Sequence, residues 1–189
     1  MRYKLIIIGG SAGSFQLVTR ILSKLPANFN IPVVLALHRL KHVRHGFVEA
    51  LSIKSVLPVV EPHDKESIKP GKIYLAPANY HLYVELAGKF ALSTEEPVNH
   101  SRPAIDLTFA TGAYAYKEKT VGIILSGANK DGALGLKKVK DYGGYTIVQE
   151  PTEAQMPTMP VAALERTGSV DQVLKVDEII KFLISLTKS

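Results

Sequence analysis

With 189 residues, 46% of them hydrophobic, the chain is long enough for one domain (1–189) with a sizeable core and too apolar for intrinsic disorder. It has no cysteine, which excludes disulfides, thiolate nucleophiles and thiolate metal sites, so covalent chemistry must run through oxygen or nitrogen. The formal net charge of +6 attracts anionic partners without naming them, and widely spread basic residues with no helix-turn-helix or RNP-type motif argue against nucleic acid.

The β-branched run Lys4-Leu5-Ile6-Ile7-Ile8 has neither helical nor alternating period and reads as a strand buried on both faces, the habit of parallel sheets. It stops at Gly9-Gly10-Ser11-Ala12-Gly13-Ser14, after which Leu17 or Val18, with Ile21, Leu22 and Leu25, marks one face of a helix. Val33 to Leu37 is a second buried-type strand ending at His38, followed by a basic segment (Arg39, Lys41, His42, Arg44, His45), a helix over 46–54 and a short strand over 56–60. Strand and helix alternate, so a mainly parallel α/β sheet is expected. Residues 72–76, 81–86 and 90–93 read as short strands joined by turn residues, giving an antiparallel insertion of about 72–94. Pro103 opens a helix to about Lys117; a strand over 121–125, the loop Ser126 to Gly132, a helix through Tyr142 and a strand over 145–149 follow. Residues 151–160, with three prolines, read as a loop, and a final helix begins at Val176. No apolar run approaches the length of a membrane span and the N-terminus lacks a secretory h-region, which predicts a cytoplasmic location without membrane insertion.

Two uses of the first glycine turn remain open at this level. A glycine turn opening a helix cradles phosphate, but Ser11 stands where the dinucleotide pattern needs its second glycine and no Walker lysine follows. The same residues fit G-x-S-x-G, which displays a serine hydroxyl at the carboxyl edge of a sheet. Open α/β sheets bind ligands there, and three strands end in chemically useful residues: Ser11, His38 and, in the loop after a later strand, Asp131. Nucleophile, base and carboxylate can converge on one edge, although a strand-end histidine is often structural and Asp131-Gly132 can simply cap a helix. His38, His42 and His45 show no metal-ligand spacing and lie in a basic stretch, so no metal is expected. Arg39, Lys41 and Arg44 read as a solvated helix face or as an attractor of an acidic macromolecule.

Several stretches, in one order along nearly the whole chain, resemble the CheB-type chemotaxis protein-glutamate methylesterases and glutamine deamidases. They are Ile8-Gly9-Gly10-Ser11-Ala12-Gly13, His38 after its strand, Leu75-Ala76-Pro77-Ala78-Asn79-Tyr80-His81, Pro97-Val98-Asn99 with Arg102-Pro103, Ile124 through Ala133, and Met159-Pro160. The resemblance implies a doubly wound, Rossmann-like three-layer fold with an antiparallel hairpin. It implies a Ser11–His38–Asp131 triad without cofactor, oxyanion donors at the backbone of Ala12 and Ala128, and substrate contacts at Arg39, Arg44, Arg102 and Met159. It also implies a methylated chemoreceptor as substrate. Ser14 and Ala128 depart from the family's usual glycine and methionine. The family's typical enzyme carries an N-terminal receiver domain, whereas this sequence begins at the catalytic strand, as expected of a fragment, or of a stand-alone or otherwise regulated esterase such as one served by a separate regulatory protein. A receptor-binding adaptor of the same fold is the alternative function.

Overall fold

The structure, a computed structural model, describes residues 2–39 and 46–188. Nine strands and six α-helices are named among them in chain order: β1 (Leu5–Gly10), α1 (Ser14–Leu22), β2 (Val33–Leu37), α2 (Phe47–Ser52), β3 (Val59–Val60), β4 (Ile73–Leu75), β5 (His81–Val84), β6 (Phe90–Ser93), α3 (Ile105–Tyr116), β7 (Thr120–Ile124), α4 (Ala133–Asp141), β8 (Tyr145–Gln149), α5 (Thr158–Thr167), β9 (Gln172–Leu174) and α6 (Val176–Ser185).

Seven strands form one parallel sheet in the order β3-β4-β2-β1-β7-β8-β9. The first strand shows why its run of branched residues is unbroken. Ile6 and Ile8 face one core with Val18 and Ile21 of α1 and Ile179 and Leu183 of α6; Leu5 and Ile7 face the other, with Phe109 of α3, Leu136 of α4 and Met159 of α5. The three-layer, doubly wound architecture follows. From β1 the chain first builds outward through β2 and β4 and later through β7 and β8, so the switch point lies at the carboxyl end of β1.

Two expectations are corrected. Residues 73–75 do not belong to an antiparallel insertion: β4 pairs in parallel with β2 and β3, wholly buried, and only β5 and β6 form an antiparallel hairpin, over 81–93. A three-residue apolar run carries no sign of its partner, so proximity to the hairpin misassigns it. The proline-rich stretch is also not all loop. The helix α5 starts at Thr158 and takes Pro160 in its first turn, where a missing N–H costs nothing.

Candidate active site

Gly10 pairs with Leu37 across β1 and β2, and the His38 N–H continues the ladder to Gly10 O at 3.1 Å. The next positions in this register are Ser11 and His38, so sheet pairing itself brings them to one edge. The turn after Ser11 is closed by Ser14, whose N–H and hydroxyl both donate to Ser11 O, at 3.0 and 2.7 Å. Ser14, a departure from the family pattern, thus tightens the turn. The left-handed residue is Gly13, with φ of 79°; an added Cβ there would lie 2.8 Å from atoms of Gln155 and Ser126. Ser11 itself does not take a positive φ, so the left-handed step of the turn falls on Gly13 and not on the serine. Ser126 ties this turn to the neighbouring loop: its hydroxyl donates to Ala12 O at 2.8 Å and accepts the Met156 N–H at 2.9 Å.

Ser11 and His38 line one cleft of about 370 Å³, together with Ala12, Phe15, Arg39 and Phe47. His38 Nε2 lies 2.7 Å from Asp131 Oδ2, with the His38 side chain 12% exposed and that of Asp131 wholly buried. Asp131 receives four further donors: Ile105 N–H to Oδ2 at 2.7 Å, and Asn99 Nδ2, Gly132 N–H and Asp106 N–H to Oδ1 at 2.9, 3.0 and 3.1 Å. Burial is the largest influence on this carboxyl and pushes its pKa up. The bonds from His38, Ile105, Asn99 and Asp106 together outweigh it, and the net shift is downward. Asp131 is therefore ionised and acceptor-only, which assigns the proton of the His38–Asp131 bond to Nε2 and leaves the lone pair on Nδ1.

Nδ1 faces Asn129 Nδ2 at 3.3 Å and the Ser101 hydroxyl at 3.5 Å; among the described residues no hydrogen bond joins it to Ser11 Oγ. Asn129 is itself oriented, its Oδ1 accepting the Asp131 N–H at 3.0 Å. Asp131 does cap a helix, but not the following one: its carboxylate takes the first two N–H groups of α3, and towards α4 only the N–H of Gly132, the residue ahead of that helix. The Ala12 and Ala128 amides, on exposed residues beside the Ser11 turn and in the loop after β7, have no acceptor among the described residues.

The remaining site residues fall differently from expectation. Arg39 is no solvated face: its side chain is 1% exposed, with Nη2 donating to Glu61 at 2.7 Å and to Ala76 O at 2.6 Å and its guanidinium over the Phe47 ring. Met159 has no exposed surface; it packs under Gly127 and its N–H bonds Gly127 O, so it supports the loop after β7 rather than touching a substrate. Arg102 donates to Thr94 O and Glu95 O and lines a separate cleft with Glu61, Asn79 and Tyr80. Arg44 lies outside the described residues. Nothing in the sequence marks Asn99, Ser101, Asp106, Ser126 and Asn129 as site residues, because their placement depends on loops meeting in space. The described residues contain no cluster of three metal-ligating side chains and no helix long and apolar enough to cross a membrane.

The fold is of the doubly wound α/β class found among hydrolases, and Ser11, His38 and Asp131 lie together at the switch point of its sheet. The chain belongs to the CheB methylesterase family, whose model matches residues 6–183. It is 42% identical over 189 residues to a Leptospira interrogans protein provisionally named a protein-glutamate methylesterase/protein-glutamine glutaminase, covering 97% of that protein. A Thermotoga maritima protein of the same name is 37% identical, and the chain spans 54% of its length. The structure superposes on the T. maritima CheB methylesterase catalytic domain with a TM-score of 0.91 at 36% identity, over 98% of this chain and all of that domain.

Proposed function

We propose that this chain hydrolyses glutamate γ-methyl esters on the cytoplasmic helices of a chemoreceptor, releasing methanol, and that it deamidates glutamine by the same route. The supporting observation is the buried His38–Asp131 pair beside Ser11 at the switch point of a chain of this family. Ser11 Oγ attacks the γ-carbonyl carbon while His38 Nδ1 accepts its proton; Asp131 holds the imidazole and balances its positive charge. The carbonyl oxygen becomes an oxyanion, for which the free amides of Ala12 and Ala128 are the donors at hand. Collapse of the tetrahedral intermediate breaks the C–O bond, and His38 returns the proton to the leaving methoxide. Water, deprotonated by His38, then attacks the acyl-serine and frees the glutamate carboxylate and the Ser11 hydroxyl. With glutamine, ammonia leaves instead. No step needs a cofactor.

Such a substrate places the enzyme in the cytoplasm, without membrane insertion or nucleic acid. Replacing Ser11 with Ala should abolish methanol release from methylated receptor while leaving the unfolding transition intact; unchanged turnover would refute the assignment. The unmade Ser11–His38 bond favours one second reading, a receptor-binding adaptor with little turnover. That reading requires receptor binding by the parent chain with neither methanol release nor acyl-enzyme. An apo site with a loose catalytic bond is common in working enzymes, which favours the esterase.

A further inference from the structure

Asn99 and Asp106 have no part in the reaction as written above, yet the acidic end of the site is built on them. Val98 and Ser101 pair as an antiparallel bridge, and Asn99 and His100 between them take φ of 52° and 61°, the left-handed pair that a two-residue hairpin turn requires. This turn delivers the Asn99 amide nitrogen between two carboxylates, 2.9 Å from Asp131 Oδ1 and 2.9 Å from Asp106 Oδ2. An amide nitrogen carries two hydrogens, one for each acceptor.

Asp106 is held by bonds of its own. Its Oδ1 accepts the N–H of Gly135, the third residue of α4, at 2.7 Å, while its own N–H donates to Asp131. The two helices thus cap each other: Asp131, ahead of α4, closes the start of α3, and Asp106, in α3, closes the start of α4. Their approach depends on Gly135, where a Cβ would lie 2.6 Å from Phe109 Cβ and 3.0 Å from Asp106 Cα. Two carboxylates so close repel, and among the described residues Asn99 is the one side chain that donates to both.

We propose that Asn99 is a positioning residue for the reaction, its amide nitrogen bridging Asp106 and Asp131 so that the Asp131 carboxylate keeps Oδ2 on His38. The role presupposes the esterase reaction proposed above. The titratable groups of the network are His38, Asp106 and Asp131, and Lys130, Glu165 and Arg166 line the cleft of about 470 Å³ that opens beside Asn99 and Asp106.

The test uses Asn99→Gly and Asn99→Asp in the full chain. Glycine keeps the left-handed turn while removing the amide; aspartate keeps the shape but sets an acceptor against two acceptors. Both should lower kcat roughly 10- to 100-fold with KM changed by no more than about twofold, since a slight misplacement of the acid–base pair affects turnover rather than binding. The acid limb of the kcat/KM profile should move to higher pH in Asn99→Asp, where an added negative charge favours the imidazolium, and should not move up in Asn99→Gly. A merely structural turn would lower kcat only in proportion to lost folded protein, with the acid limb unmoved, and that result would overturn the proposal. The His38 Nε2–H resonance, observed by NMR without substrate, separates this from the esterase assignment. If the parent chain releases no methanol, the assignment fails. Loss or marked shift of that resonance in folded Asn99→Gly still sustains the bridging role, and an unchanged resonance overturns it.

Discussion

Replacing Asp131 with Asn tests the acidic end of the site, because the five hydrogen-bond partners of that carboxylate among the described residues are all donors: His38 Nε2, Asn99 Nδ2 and the N–H groups of Ile105, Asp106 and Gly132. Either placement of the new NH₂ group sets donor against donor. Facing Oδ1's partners it opposes three; facing Oδ2's it opposes His38 and Ile105, the lesser conflict. Each bond lost to a charged group is worth about 1.5–3 kcal/mol, and burying a neutral amide in place of a carboxylate returns part of it. A net loss of about 2–4 kcal/mol remains, or on the order of 10 °C in Tm for a domain of this size. His38 relieves one conflict by moving its proton from Nε2 to Nδ1, and Nδ1 then has no lone pair for the serine proton. A wrong tautomer of this kind lowers kcat by roughly 10⁴-fold. Methanol release, thermal unfolding and ¹⁵N spectra of the imidazole measure the three consequences. A variant with parental Tm, kcat within about tenfold of the parent and the proton still on Nε2 would refute the assignment of donors, tautomer and base.

The other expectations concern the turn, the buried arginine and acid stability. Gly13→Ala meets atoms of Gln155 and Ser126 at 2.8 Å in a left-handed position, so it should cost about 1–3 kcal/mol in thermal unfolding and reduce methanol release as the Ser11 turn shifts; parental values for both would show the turn to be adaptable. Arg39→Met should leave KM for methylated receptor nearly unchanged, because the guanidinium is buried; a tenfold rise, on the order of 1.4 kcal/mol, would make Arg39 a substrate contact. At Asp171 burial is the largest influence and pushes upward, but Lys140 and the Thr146 hydroxyl and N–H hold the carboxyl below its ordinary value, as the donors around Asp131 do there. Depressed carboxyls contribute stability that is full above about pH 4 and lost as pH falls through their folded values. Tm should therefore drop steeply below that pH, and less steeply in Asp171→Asn; an identical slope would remove Asp171 from the cause. Asp106 works in the opposite sense, since burial and the charge of Asp131 raise its pKa and its ionisation costs stability as pH rises past the unfolded value.

The parts of the fold and site legible in the sequence are those written into contiguous residues. An apolar run ending in Gly9-Gly10 announces β1 and the turn, and the ends of β2 and β7 announce His38 and the loop of Asp131. What escapes is decided across the chain. The strand β4 joins the main sheet through pairing with β2, and β9, three partly exposed residues, has no apolar run to mark it. Arg39 looks like one of a solvated cluster until Glu61, the Ala76 carbonyl and the Phe47 ring enclose it. Asn99 is a surface residue in a turn, and only the meeting of two helix starts gives its side chain two acceptors.

The mutual capping of α3 and α4 bears on how activity is to be judged among relatives. Asp131 closes a helix whether or not any ester is ever cleaved, so a descendant that has abandoned the reaction still gains from retaining it. Ser11 lends its backbone to the turn, but among the described residues its hydroxyl makes no hydrogen bond, so selection for folding alone leaves that side chain free to drift. Divergent copies that keep the aspartate without the serine are the expected remains of lost enzymes, and the serine, rather than the acid, is the position to inspect when sorting working esterases from their silent cousins.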